Sequence, residues 1–258
     1  MISNLARQLV LCLGLWVAAA PASAAPAFAD WSAVVVAGDW HDHDGGPSEG
    51  FDNARRDVAL ALQGAGFQAA NMRQFSVRPE RYTPTPDKSE PNAIHGALRG
   101  LTAKASGGCL LYFTSHGVRQ GMIVDDRVLR PSALAGMIDT TCGSRPTVVV
   151  ISACFSGVFI NDLAKPNRMI LTAARPDRSS FGCGQADKYP YFDDCFLQVM
   201  PRAQEFVGLA REIRACVAGR EAVEGMRPPS EPQVWIGPAL APLLPLYGFQ
   251  TPPAPPRS

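Results

Sequence analysis

The stretch that decides the fold is Cys109-Leu-Leu-Tyr-Phe-Thr-Ser-His116-Gly117, taken with Thr147-Val-Val-Val-Ile-Ser-Ala-Cys154-Phe-Ser-Gly157. Both open on short apolar runs, rich in β-branched and aromatic residues and bounded by Gly or Pro. Such runs read as buried strands, not helices. Each ends in a cluster of small and reactive residues. Between them, residues 131–138 have helical spacing and fit the crossover of a βαβ unit. If the two strands are parallel neighbours, His116 and Cys154 emerge together at the carboxyl edge of an α/β sheet, where open sheets of this class place their sites.

That pair can carry out acyl transfer. A thiol is a good nucleophile only as thiolate, and an adjacent imidazole can take its proton. Gly117 lets backbone come close to the reacting centre, and Gly157 relaxes the turn after the cysteine. The backbone N–H groups of Gly117 and Cys154 are natural donors to an oxyanion. A cysteine after an apolar strand is more often a small buried hydrophobe than a nucleophile. The strand–cluster–helix–strand–cluster order shared with His116 turns the balance towards an enzyme.

The residues also carry a resemblance. A strand ending in His-Gly, followed by one ending in Ala-Cys with a small residue and Gly beyond, resembles the caspase–legumain clan of cysteine peptidases. Within it, Tyr112–Gly117 and Ala153–Gly157 are most similar to the legumain (asparaginyl endopeptidase) family. Val34-Val-Val-Ala-Gly38 resembles that family's first strand, and 171–180 resembles the strand and loop that wall its S1 pocket. The likeness spans about Ser32 to Trp235. It implies a three-layer α/β sandwich with a mostly parallel central sheet of about six strands. It also implies a peptide or protein substrate and no cofactor.

Composition is that of a globular chain: 258 residues, 47% hydrophobic, 18% charged, net charge +1. A charge so near zero gives no reason to expect a nucleic-acid partner. Residues 1–24 read as a secretory signal. Arg7 supplies the basic start, 9–20 the apolar run, and Ala22-Ser-Ala24 the cleavage site, with a cut after Ala29 as the alternative. No stretch of the mature chain is long and apolar enough to span a membrane. The expected location is therefore secreted or periplasmic, where disulfides form. Cys109, inside a core strand, reads as reduced. Cys183 with Cys195, and Cys142 with Cys216, are the pairings left open.

Residues 30–236 form the expected peptidase domain, and the Pro-rich 237–258 an extended tail. The loop 38–47 holds His41, Asp42, His43 and Asp44. No third ligand of fitting spacing accompanies them, so they read as a polar loop at the site's edge and no metal is assigned. Helices are expected over 51–64, 93–105, 191–204 and 205–224. Further strands are expected within 67–77, 168–174 and 232–236, and a small hairpin over 121–129. The segment 78–91, rich in Pro and charge, reads as a surface loop.

The resemblance implies further roles. Asn53 would orient the catalytic His116, and Arg55 would line S1; the rival reading is a solvated helix face. Ser179 or Ser180, and Asp194 (Asp193 the lesser alternative), would line S1 as well. Ser152 stands where the family has a Glu before Ala-Cys, so strict Asn preference is open. Arg55 with one acid lost tilts P1 towards Asp; Asp194 without the Arg tilts it towards a basic residue. Three rivals to a Cys–His endopeptidase remain. They are a transpeptidase of the same clan, a non-catalytic binding member of the fold, and a metal hydrolase built on His41 and His43.

Overall fold

A computed structural model describes residues 26–250; the signal-like segment lies outside them. The strands in chain order are β1 (Trp31–Ala37), β2 (Met72–Ser76), β3 (Asp87–Lys88), β4 (Gly108–Thr114), β5 (Gly117–Val118) and β6 (Gly121–Val124). They continue with β7 (Arg127–Leu129), β8 (Thr147–Ser152), β9 (Arg168–Thr172) and β10 (Gln233–Ile236). The helices are α1 (Gly50–Gly64), α2 (Pro91–Thr102), α3 (Pro131–Thr141), α4 (Ile160–Leu163), α5 (Tyr191–Val199) and α6 (Phe206–Val223).

Seven strands make one sheet in the order β10-β9-β8-β4-β1-β2-β3, parallel throughout except for β10. The expected α/β architecture is present, with one strand more than the six anticipated. The extra one is β3, two exposed charged residues inside the segment read as loop. So short a strand has no alternation to reveal it.

The central strands are buried end to end because both faces are covered, which is why they read as unbroken apolar runs. Alternate residues part company across the sheet. Ala33, Val35, Leu110, Tyr112, Val148 and Val150 pack with α1, α5 and α6. Val34, Val36, Leu111, Phe113, Val149 and Ile151 pack with α2, α3 and the β6–β7 hairpin.

Three expectations change. Among the described residues the disulfides are Cys109–Cys142 and Cys195–Cys216, and the free cysteines are Cys154 and Cys183. Cys109 faces the layer that holds Cys142 at the end of α3, whereas α5 brings Cys195 against Cys216 on the neighbouring α6. Closing loops of 33 and 21 residues, each bridge is worth about 3–4 kcal/mol through the unfolded chain. The tail is also no free extension as far as it is described. Leu240, Leu244 and Phe249 are buried, and Phe249 meets Phe206 edge to face at 4.8 Å. Lastly, α5 stops at Val199, and Pro201 falls in the 3₁₀ turn that follows.

Candidate active site

Register places the two reactive residues. Thr114 at the end of β4 is the partner of Ser152 at the end of β8, and Ser115 N–H donates to the Ser152 carbonyl at 3.0 Å. His116 and Cys154 therefore leave adjacent parallel strands at the same level, two residues past paired ends. Both line a cavity of about 450 Å³ with Ser179, Ser180, Phe181, Cys183, Asp187 and Tyr191.

The chain turns sharply at the cysteine. Phe155 adopts the left-handed conformation, φ 56° and ψ 11°, which costs a non-glycine residue roughly 1 kcal/mol or more. Phe155 N–H donates to the Arg178 carbonyl at 2.8 Å, and the Arg119 guanidinium stands 5.2 Å over its ring. The turn thus takes its positive φ at Phe155, and Gly157 has a different task from the one expected. A Cβ on Gly157 would stand 2.5 Å from Pro176 Cδ. Gly117 does what its position suggests, since a Cβ there would overlap the Cys154 carbonyl oxygen.

Each reactive group is held by backbone. Cys154 Sγ accepts from Ser180 N–H at 3.3 Å. Among the described residues, Cys154 N–H has no backbone acceptor and remains available. His116 Nε2 lies 3.0 Å from the His41 carbonyl, which can only accept. Nε2 therefore carries the proton and Nδ1 is left basic. The edge of Phe51 packs on the ring, centroids 5.0 Å apart.

Beneath the site, Asp193 is wholly buried. It accepts from Tyr112 at 2.5 Å and from Thr114 and Ser152 at 2.8 Å. Burial raises its pKa to about 6, against the pull of those three hydroxyls. Ser152 is spent on this contact, so it braces the strand ends from below instead of lining the cavity. Burial, the neighbouring Cys154 and the carboxylates of Asp193 and Asp187 together push the Cys183 thiol well up.

Several residues carried over by resemblance lie elsewhere. Asn53 Nδ2 donates to the Lys188 carbonyl at 3.3 Å and does not reach His116. Arg55 is buried, with its guanidinium on Asp52 at 2.8 Å and Gln74 at 2.6 Å. Asp194 accepts from Arg220 at 2.5 Å on the α5–α6 side. None of the three lines the cavity. The buried acid at this end of the sheet is Asp193, the lesser alternative. Asp187 and Tyr191 line the cavity without a local signal in the sequence, and Cys183, the candidate partner of Cys195, lines it as a free thiol, with Gly182-Cys183-Gly184 the available signal of a cysteine on a tight loop. Among the described residues, no three His, Cys, Asp or Glu side chains converge as a metal would require.

A mostly parallel α/β sheet carrying a free thiol and an imidazole at its carboxyl edge defines the class: a caspase-like fold. The solved caspase-1 from Spodoptera frugiperda superposes with a TM-score of 0.59 at 14% identity, covering 82% of this chain and 88% of that one. Residues 87–212, which include both His116 and Cys154, match the Peptidase C13 family. That family is one of cysteine peptidases, so a protein substrate is implied. No curated protein matches this sequence.

Proposed function

We propose that the chain is an exported cysteine endopeptidase with Cys154 as nucleophile and His116 as general acid–base. The observation that carries this reading is the delivery of both residues from paired strand ends into one cavity. His116 Nδ1 takes the thiol proton as Sγ attacks the scissile carbonyl. The N–H groups of Cys154 and Gly117 stabilise the oxyanion. The same imidazole then protonates the leaving amine, and water releases the acyl group from the thioester. The two disulfides support folding in an oxidising compartment. Among the described residues no helix is long and apolar enough to cross a membrane.

The cavity favours Asn over Asp at P1. Among the described residues no Arg or Lys lines it, because Arg55 is committed to Asp52 and Gln74. An Asp side chain would enter with no guanidinium or ammonium to pair with, at a cost. A carboxamide can accept from the Ser179 or Ser180 hydroxyl and donate to a carboxylate. Asp187 supports a second reading, a basic P1, since it is the acid on the cavity wall.

A fluorogenic panel varying only P1 (Asn, Asp, Arg, Lys, Ala) tests both. The expected result is best cleavage after Asn and cleavage after Asp slower by about 10-fold. Cys154→Ala and His116→Ala should each lose about 10⁴-fold or more. Faster cleavage after Arg or Lys would select the basic reading. A silent panel, with Cys154 inert to iodoacetamide, would overturn the peptidase itself.

A further inference from the structure

Nothing about Asp39 marks it in the sequence, yet one of its oxygens organises the loop that touches His116. Asp39 is 8% exposed. Its Oδ1 accepts from Trp40 N–H at 2.6 Å, from His41 N–H at 3.1 Å and from His41 Nδ1 at 2.7 Å. Three bonds to one oxygen fold residues 39–41 back on themselves and fix both the backbone and the ring of His41.

The rest of the loop locks around that turn. His41 bridges Pro47, and Ser48 N–H donates to the Trp40 carbonyl at 2.8 Å. The Trp40 and His41 rings stand 3.9 Å apart, and the Arg78 guanidinium lies 4.4 Å over Trp40. Arg78 is itself held by the Ser48 carbonyl at 3.2 Å and by Glu49 at 3.1 Å. The output is the His41 carbonyl, fixed 3.0 Å from His116 Nε2.

From this geometry we infer that Asp39 is the positioning residue for His116, acting through the His41 peptide rather than by direct contact. It sets the carbonyl that keeps the proton on Nε2 and the lone pair on Nδ1. A carbonyl held this way does what a third side chain does in other triads, orienting the imidazole and fixing its tautomer. The inference rests on the peptidase reading for its kinetic consequence but not for its tautomer consequence.

Asp39→Ala and Asp39→Asn should be compared with wild type for kcat, KM, thermal midpoint and the His116 ring-nitrogen NMR signature. In wild type the signature should report the neutral Nε2–H form. Asp39→Ala should lose it and drop kcat by about 100-fold, as a small misplacement of a catalytic group can, with KM within about twofold. Asp39→Asn, whose amide oxygen still accepts from both backbone N–H groups, should recover most of each. Unchanged tautomer and kcat in a folded Asp39→Ala, or a loss of both in a folded Asp39→Asn as large as that expected of Asp39→Ala, would overturn the assignment. If wild type cleaves nothing, the peptidase reading fails while the tautomer comparison still decides this one.

Discussion

Two loops wall the cavity, and they are built differently. The first, between β1 and α1, is bonded to itself. Asp39 folds its start, Asp42 Oδ1 accepts from Asp44 N–H at 2.9 Å and Gly46 N–H at 2.7 Å, and Ser48 closes its end. The second, between β9 and α5, is tied largely to its surroundings: Ser180 N–H on Cys154 Sγ, Phe155 N–H on the Arg178 carbonyl, Arg175 N–H on the Ser230 carbonyl, and His43 N–H on the Cys183 carbonyl. The first loop touches the imidazole. The second touches the thiol and supplies Phe181, Cys183 and Asp187 to the cavity wall. The loop against the imidazole holds its own shape, whereas the loop against the thiol takes its shape from the segments around it.

Substitutions can break that division. Beyond Cys154 and His116 themselves, the largest effect on activity is expected at the junction of the two strand ends. Gly117→Ala drives a methyl into the Cys154 carbonyl and should cost activity about 100-fold or more, read as kcat/KM at a temperature where a melting curve shows the variant folded. Normal activity would show that the close approach is not needed.

Arg55→Ala comes next, as a test of stability. It strands the Asp52 carboxylate, 2% exposed, and should cost about 3–5 kcal/mol. Burial already raises the Asp52 pKa, with Arg55 the main opposing influence. Removing Arg55 raises it further, so the deficit should grow as pH climbs from about 4 to 7. Urea melts at several pH values check this. A changed P1 preference with normal stability would instead return Arg55 to the substrate pocket.

Asp193 gives a smaller and opposite handle. Its folded pKa, about 6, exceeds the ordinary 3.8, so the folded state binds the proton more tightly than the unfolded one. The stabilising contribution is complete below about pH 4 and is lost as pH rises through 6. By pH 7 the loss is on the order of 2–3 kcal/mol. Asp193→Asn should lack this slope, and parallel pH profiles for the two proteins would contradict the assignment. The smallest effect is expected at Asn53→Ala, where one exposed hydrogen bond disappears. Its kcat/KM should stay within about twofold, and a hundredfold loss would restore Asn53 as the residue orienting His116.

These contrasts also separate what could be read early from what could not. Strand-borne features were legible, because pairing carries a motif's position across the sheet. His116 and Cys154 meet since Thr114 pairs with Ser152. Helix-borne features were not. Asn53 and Arg55 stand on α1, whose rotation about its axis is set by what its buried face packs against. That face turns Arg55 towards Asp52 and Gln74. The cysteine pairings failed for a related reason, since a disulfide joins whatever layers bring together, whatever the spacing along the chain.

The sequence by itself determined the α/β class, the parallel strands, the His–Cys pair and the family resemblance, because hydrophobic period and small residues at strand ends are local signals. Only the tertiary structure decided how the His116 proton is held, which acid lies beneath the site, and that Arg55 is no part of the cavity. It also decided that 237–250 closes the fold. Each of these depends on contacts between segments far apart in the chain, and no local pattern encodes which of several polar side chains will be the one that a neighbouring layer buries.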